Sequence, residues 1–423
     1  MTTGRGRRGF TLIELMVSTV VASVVIAGAL LLLTSQQRLQ QGSTAERAML
    51  ETGRVALDEI TTNLRLAGYG IDPALAFDFG PQATVSMDQA PPGAPVSAAS
   101  YLCGSAVTCR DSTTGSDEIV FQYRDPSFVR ALAAAPPTGG SSVTIAGPLN
   151  SPIYKGQVLQ VMCFGGSQRW AYVTVGQFVP VNTSPGAQIT IQLASATGDQ
   201  IPLQNQYLDD SCFSAVAPPG SLPVTFAAAA KVYKVDLFRY YIASYDAVGN
   251  VVANGTAGAR PYLMLDQGLS DASGKPVVNV IAPDVEDLQL AYVFPNSPTP
   301  GLQLMGGTAG VAVAADATGI DLAPALGTPA FSDAGESPRR ATQHPGNIRA
   351  VAVSLVVRSP ELHLEVPDAT IPAAGNRGVT AAPPYYRRQL FETTAAVRNT
   401  DARAPYFPVY TTLPGDQYNV GGG

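Results

Sequence analysis

The sequence predicts an α+β fold in which one long N-terminal helix, a membrane anchor continued into an amphipathic spine, packs on a large antiparallel β-rich domain. Three observations carry this expectation. An apolar run from Phe10 to Leu33 contains a single charge, Glu14. No proline follows until Pro73, and small and apolar residues recur over that stretch at three- and four-residue steps. Beyond it, short runs of alternating polarity are separated by turn residues, with 41 glycines and 34 prolines in 423 residues, so many short strands are favoured over a helical bundle.

The first nine residues, MTTGRGRRG, hold three arginines and no acid. The 24 residues that follow, Phe10 to Leu33, span about 36 Å as a helix, against roughly 30 Å of hydrocarbon in a bilayer. The basic flank is held in the cytoplasm and the remainder is exported. A plain secretory signal would have a shorter apolar region closed by a small-residue cleavage site. Here the helical pattern continues: Ala45, Met49, Gly53, Ala56, Ile60, Leu64 and Ala67 form one stripe. Arg47/Glu51 and Arg54/Asp58, each four apart, solvate the other faces. Gly68, Gly70 and Pro73 stop the helix after about 58 residues. The expected organisation is therefore a removable leader (1–9), a transmembrane part (10–33), a spine (34–70) and an exported β-rich domain with loop insertions (71–423).

Within that domain, DEIVFQYR sets Ile119, Phe121 and Tyr123 on one face, and QITIQL does the same for Ile189, Ile191 and Leu193. KVYKVDLFRYYIA is read with Tyr233, Val235 and Leu237 opposite Lys234 and Asp236. VEDLQLAYV sets Leu288, Leu290 and Tyr292 against Asp287 and Gln289. In IRAVAVSLVVRS one face is Val351, Val353, Leu355 and Val357 and the other is mostly small, as expected of a strand covered by the spine helix. The Pro/Ala/Gly-rich stretches 81–100, 131–148, 295–347 and 366–384 read as loops or insertions.

The junction Gly9-Phe10-Thr11-Leu12-Ile13-Glu14-Leu15-Met16-Val17, after a basic leader, resembles the class III signal of type IV pilins and type II secretion pseudopilins. The resemblance implies cleavage between Gly9 and Phe10 by a prepilin peptidase and N-methylation of Phe10. It also implies a subunit-assembly role for Glu14. A carboxylate in lipid is disfavoured by about 2.5–3.5 kcal/mol or more, so it should be paired, and the Phe10 amine of a neighbouring subunit is the expected partner. Four-residue spacing leaves a contact within one chain open as well. The stretches GRVALDEITTNLRLAGYG (53–70), IRAVAVSLVVRSPE (348–361) and YRRQLFETTAAVRN (386–399) narrow the resemblance to PilW-like minor pilins, the pilus-assembly W family. Leu31 stands where many major pilins have a mid-helix proline, leaving Gly28 as the candidate weak spot. The function this implies is initiation or assembly of type IV pili at the inner membrane and pilus tip, hence twitching motility and cell adhesion. Expected partners are the prepilin peptidase, other minor pilins, the major pilin and the inner-membrane assembly platform. The chain would sit in the inner membrane as a single-pass protein with its C-terminal domain in the periplasm, then in the pilus. A J-type pseudopilin of type II secretion and a tip-displayed adhesin or ligand-binding module are the alternatives.

Export makes disulfides the expectation for Cys103, Cys109, Cys163 and Cys212. Of the three possible connectivities, Cys103–Cys109 with Cys163–Cys212 is the one expected. No catalytic role, cofactor or metal is expected. GxSxG, GxxxxGK[ST] and HExxH are absent from the sequence, and His344 and His363 have no triad spacing around them. Asp209-Asp210 and Asp284/Glu286/Asp287 lack EF-hand spacing and read as solvated loop charge. A net charge of −6 argues against nucleic acid as a partner.

Overall fold

The expected long helix is α1, Leu12–Leu64, 53 residues that extend about 80 Å. The computed structural model describes residues 12–71, 76–77, 115–134, 142–163, 169–194, 230–294, 303–305, 348–360, 362, 367, 369–375 and 377–401. Large apolar side chains from Leu12 to Leu33 are 53% to 77% exposed, so the first half of α1 stands clear of the body. The second half is docked: all seven stripe positions from Ala45 to Ala67 are buried, while Arg47, Glu51, Arg54 and Asp58 are exposed. The helix stops six residues short of Gly70, and turns fill the gap. Gly68 and Gly70 take φ of +74° and +69°, the left-handed conformation that glycine adopts without strain.

The strands are β1 (Ile119–Ala131), β2 (Ser142–Ala146), β3 (Val158–Cys163), β4 (Arg169–Thr174), β5 (Gln188–Gln192), β6 (Lys231–Tyr245), β7 (Val251–Val252) and β8 (Arg260–Ser270). They continue as β9 (Pro276–Pro283), β10 (Val285–Phe294), β11 (Gln303–Met305), β12 (Ala350–Arg358), β13 (Thr370–Ile371), β14 (Thr380–Ala381) and β15 (Arg388–Ala396), before the short helix α2 (Arg398–Asp401). A seven-stranded sheet runs β4-β3-β6-β8-β9, with β1 and β7 also on β6, and a four-stranded sheet runs β11-β10-β12-β15. β2 pairs with β5, and β13 with β14. Every described ladder is antiparallel.

Two apolar cores result. The larger lies between α1 and both sheets and takes the expected faces of β1, β10 and β12, including Phe121, Leu288, Val351, Val353, Leu355 and Val357. The second lies away from α1 and gathers Ile189, Ile191 and Leu193 of β5 with Val143, Ile145, Leu159 and Val161. β6 serves both: Val232 faces the second core, and Phe238, Tyr240 and Ile242 face the first.

The buried face of β6 is therefore one residue out of phase with the sequence expectation. Val235 is buried, but Tyr233 and Leu237 are only half-buried. Lys234 and Asp236 fall on the core-facing parity where the strand passes from one core to the other, which interrupts the alternation that local reading relies on. Three expected loops also contain strand. β2 lies within 131–148 because Val143 and Ile145 can both be buried, and β13 and β14 lie within 366–384. β11 occupies part of 295–347, whereas 81–100 is outside the described residues.

The reading of Asp284/Glu286/Asp287 as solvated loop charge is overturned. The chain leaves β9 and enters the second sheet at Asp284, a corner with φ of 59°, and all three carboxylates are buried. Asp284 donates its N–H to Pro261 O and accepts from Arg358 N, at 2.7 and 2.9 Å. These bonds fix a backbone conformation that non-glycine residues seldom adopt. Asp209-Asp210 are outside the described residues.

Candidate functional site

The part of the molecule with chemistry to perform is the anchor and the joint that fixes it to the body. Along the anchor the hydroxyls are satisfied locally: Ser18 donates to Glu14 O at 2.5 Å, Thr19 to Leu15 O at 3.0 Å and Ser23 to Val20 O at 2.8 Å. In hydrocarbon such back-bonding removes the penalty of a bare O–H. α1 is long and apolar enough to cross a membrane. Glu14 lies in its first turn.

The joint combines close packing with a polar lock. At Gly53 the helix approaches β15 so closely that an added Cβ would lie 2.6 Å from the Phe391 ring. One residue before the helix ends, Asn63 Nδ2 donates to Tyr240 Oη at 2.9 Å and to Glu59 Oε1 at 3.0 Å. Tyr240 Oη donates to Glu59 Oε1 at 3.4 Å, and Tyr123 Oη to Asn63 Oδ1 at 3.4 Å. Burial pushes the Tyr123 phenol up to about 12 and raises Tyr240 as well, so both remain donors at physiological pH. The end of the helical region is closed from the far end of the chain. Asn399 of α2 gives its Nδ2 to the carbonyls of Arg65, Leu66 and Ala67 at 3.4, 3.2 and 3.2 Å, where a helix terminus lacks intrahelical partners.

Arg124 ties the helix exit to β6 and β3. Its guanidinium lies 5.6 Å from the Tyr69 ring centre and 4.5 Å from that of Tyr233, and Nη1 donates to Met162 Sδ at 3.2 Å.

Behind β12 lies an ionic cluster. Arg260 grips Asp284 through Nε and Nη2 at 3.0 and 2.7 Å. Arg388 Nε donates to Glu286 Oε2 at 2.6 Å, and Arg358 Nη1 reaches Glu286 Oε1 at 3.5 Å. Arg377 Nε donates to Asp287 Oδ2 at 2.7 Å, and Ser116 Oγ and Gln289 Nε2 supply Oδ1 at 2.8 and 3.1 Å. Burial lifts the Asp287 carboxyl above its ordinary range, opposed by Arg377, Gln289 and Ser116. Such a cluster holds the sheet corner and the β13–β14 hairpin in one geometry. No group of histidines, cysteines and acids suited to a metal is present among the described residues.

Of the residues singled out in the sequence, Glu14 is described, whereas Gly9 and Phe10 are outside the described residues. Cys103, Cys109 and Cys212 are also outside them, and Cys163 is placed only as the last residue of β3. Sequence reasoning missed Asn63, Asn399 and the arginines of the cluster. Opposed charges at 284–287 and 377–388, in a chain only 14% charged, were the available signal.

The family described as the prokaryotic N-terminal methylation motif matches residues 4–30. The chain carries a prepilin-type N-terminus. Over 169 residues it is 25% identical to the pilin-like protein PilA3 of Thermus thermophilus, covering 38% of this chain and 70% of that protein. No solved structure matches. Motif and relative together support a type IV pilin-type chain, structural rather than enzymatic. The motif implies processing by a prepilin peptidase and assembly with other pilins, and with the apolar helix it fits an inner-membrane anchor.

Proposed function

We propose that this protein is a PilW-like minor pilin that helps to initiate or cap a type IV pilus. Residues 1–9 are removed, Phe10 becomes the methylated N-terminus, 10–33 anchor the subunit, 34–70 form the spine, and 71–423 are displayed in the periplasm and then at the pilus tip. The carrying observation is one continuous helix whose exposed apolar half begins at a methylation motif and whose other half is docked into a β-rich body. The stretches 348–361 and 386–399, which resemble the W family, include β12 and β15, two of the strands against which α1 packs.

In assembly, Glu14 accepts the Phe10 ammonium of a neighbouring subunit within the low-dielectric anchor bundle, setting axial register between them. The test is crosslinking in membranes followed by co-purification, with the wild type and Glu14→Ala side by side. The wild type is expected to bring down other minor pilins, and Glu14→Ala to be cleaved and inserted but to lose those partners at least tenfold. Recovery of type II secretion components would overturn the pilus assignment in favour of a J-type pseudopilin. Wild-type partner yield from Glu14→Ala would remove the assembly role.

A further inference from the structure

We propose that the open edge of β15 is an assembly surface, on which an extended strand of a different pilin subunit adds to the four-stranded sheet. This rests on the pilin-type assembly proposed above and locates a second contact, made by the body rather than by the anchor. β15 ends the strand order β11-β10-β12-β15. Its register with β12 continues past both ends, where Ser359 donates its N–H to Arg387 O and Val397 donates to Arg349 O, each at 2.8 Å. The odd-numbered residues of β15 therefore bond to β12, and the even-numbered ones direct N–H and C=O to the other side. For Leu390, Glu392, Thr394 and Ala396 those groups have no partner among the described residues.

Such an edge is a template for a further strand unless proline, bulges or charge protect it. The larger sheet shows that protection. Its edge strand β9 begins at Pro276 and ends at Pro283, and its pairing with β8 shifts register twice. β15 has neither device: Arg388–Ala396 contains no proline and pairs with β12 without a register shift. Its two charges are Arg388, which is bound to Glu286, and Glu392.

Orientation and charge select the occupant. A Cβ added at Gly42 would lie 3.7 Å from the Arg387 guanidinium, Gly53 meets Phe391, and Asn399 caps Arg65, Leu66 and Ala67, so β15 runs along α1 away from the anchor. Antiparallel addition is the more stable kind, and the added strand then runs towards the anchor. The β15 edge of a second copy does not meet this condition, because an antiparallel pair would point the two anchors in opposite directions. A parallel pair would set Glu392 beside its own counterpart, and β9 of a second copy is protected as above. Glu392 is exposed, accepts from Ser354 Oγ at 3.1 Å and has no ion-pair partner among the described residues. The occupant is therefore a strand of another pilin, with a basic residue opposite Glu392 and apolar or β-branched residues opposite Leu390 and Thr394.

The test is crosslinking of the full chain in membranes, identification of captured proteins that carry a prepilin-type N-terminus, and hydrogen exchange of the purified complex. The wild type is expected to capture another such pilin, with the Leu390, Glu392 and Thr394 amides exchanging at least tenfold more slowly than in the free chain. Thr394→Pro removes an outward N–H and no bond to β12, so its urea midpoint is kept while capture falls at least fivefold. If that variant does not fold, Glu392→Lys decides, with the same loss expected from like charges across the pair. Capture of no pilin by the wild type overturns the assembly reading and this inference together. The edge assignment alone is overturned if pilin capture survives every folded variant unchanged, if the three amides are unprotected in the complex, or if β15 crosslinks only to a second copy of this chain.

Discussion

Replacing Gly53 by alanine sets two effects of similar size against each other, and the geometry decides the sign. In a helix interior alanine is favoured over glycine by about 0.8–1.0 kcal/mol. At this position, however, the new Cβ would lie 2.6 Å from Cε2 and Cζ of Phe391 and 2.7 Å from Cδ2. Carbon atoms rest about 3.5–4.0 Å apart, so the ring must retreat by roughly 1 Å. Phe391 is on β15, paired with Leu355 of β12 in the wall of the main core, and its retreat would disturb that wall. Overpacking of this kind costs about 1–3 kcal/mol. The net expectation for Gly53→Ala is a loss of about 1 kcal/mol. In a Phe391→Ala background the obstruction is absent, and the same substitution should stabilise by about 0.8–1.0 kcal/mol. Urea unfolding of the four full-length proteins in detergent, followed by circular dichroism, measures the cycle. A midpoint that rises on Gly53→Ala in both backgrounds would refute the claim that α1 docks here by direct contact with Phe391.

Arg377→Leu removes the guanidinium 2.6 Å from Asp287, in a pair whose side chains are 2% and 3% exposed, and leaves a buried carboxylate without its counter-charge. A loss of about 3–5 kcal/mol in the urea transition is expected, and a loss below about 1 kcal/mol would show that the cluster is not structural. Asp236→Asn tests the charge at the crossing point of β6. Burial raises the Asp236 carboxyl above its ordinary range, Asp125 adds to the rise, and Lys234 and the Gln157 hydrogen bond oppose it. The folded state therefore takes up this proton before the unfolded state does, and stability from this group grows as pH falls through the folded value until the unfolded value near 3.9 is reached. Asp236→Asn should accordingly raise the melting temperature more at pH 7.5 than at pH 4, and an increment independent of pH would refute the assignment.

What the sequence reveals about this molecule follows the range of the forces involved. The α1 stripe is set by a period of 3.6 residues within one element, and every stripe position from Ala45 to Ala67 is buried. The same holds for β12, where Val351, Val353, Leu355 and Val357 are fully buried under the helix. Locality fails at β6, because one strand answers to two cores and Lys234 and Asp236 occupy the changeover. It fails more completely for the carboxylates at the sheet corner. Whether Asp287 is solvated or buried depends on Arg377, 90 residues away, and Glu286 depends on Arg388, 102 residues away. Neither counter-charge belongs to the same periodic segment, so no local pattern couples them. The candidate site divides along the same line. The processing motif and Glu14 are read from contiguous residues because a peptidase and a bilayer act on contiguous chain. The joint formed by Asn63, Tyr240 and Asn399 exists only once β6 and α2 have been brought to the end of α1. A pilin-type subunit needs both kinds of information. The local kind directs it into the membrane, and the long-range kind fixes how the body sits on its anchor.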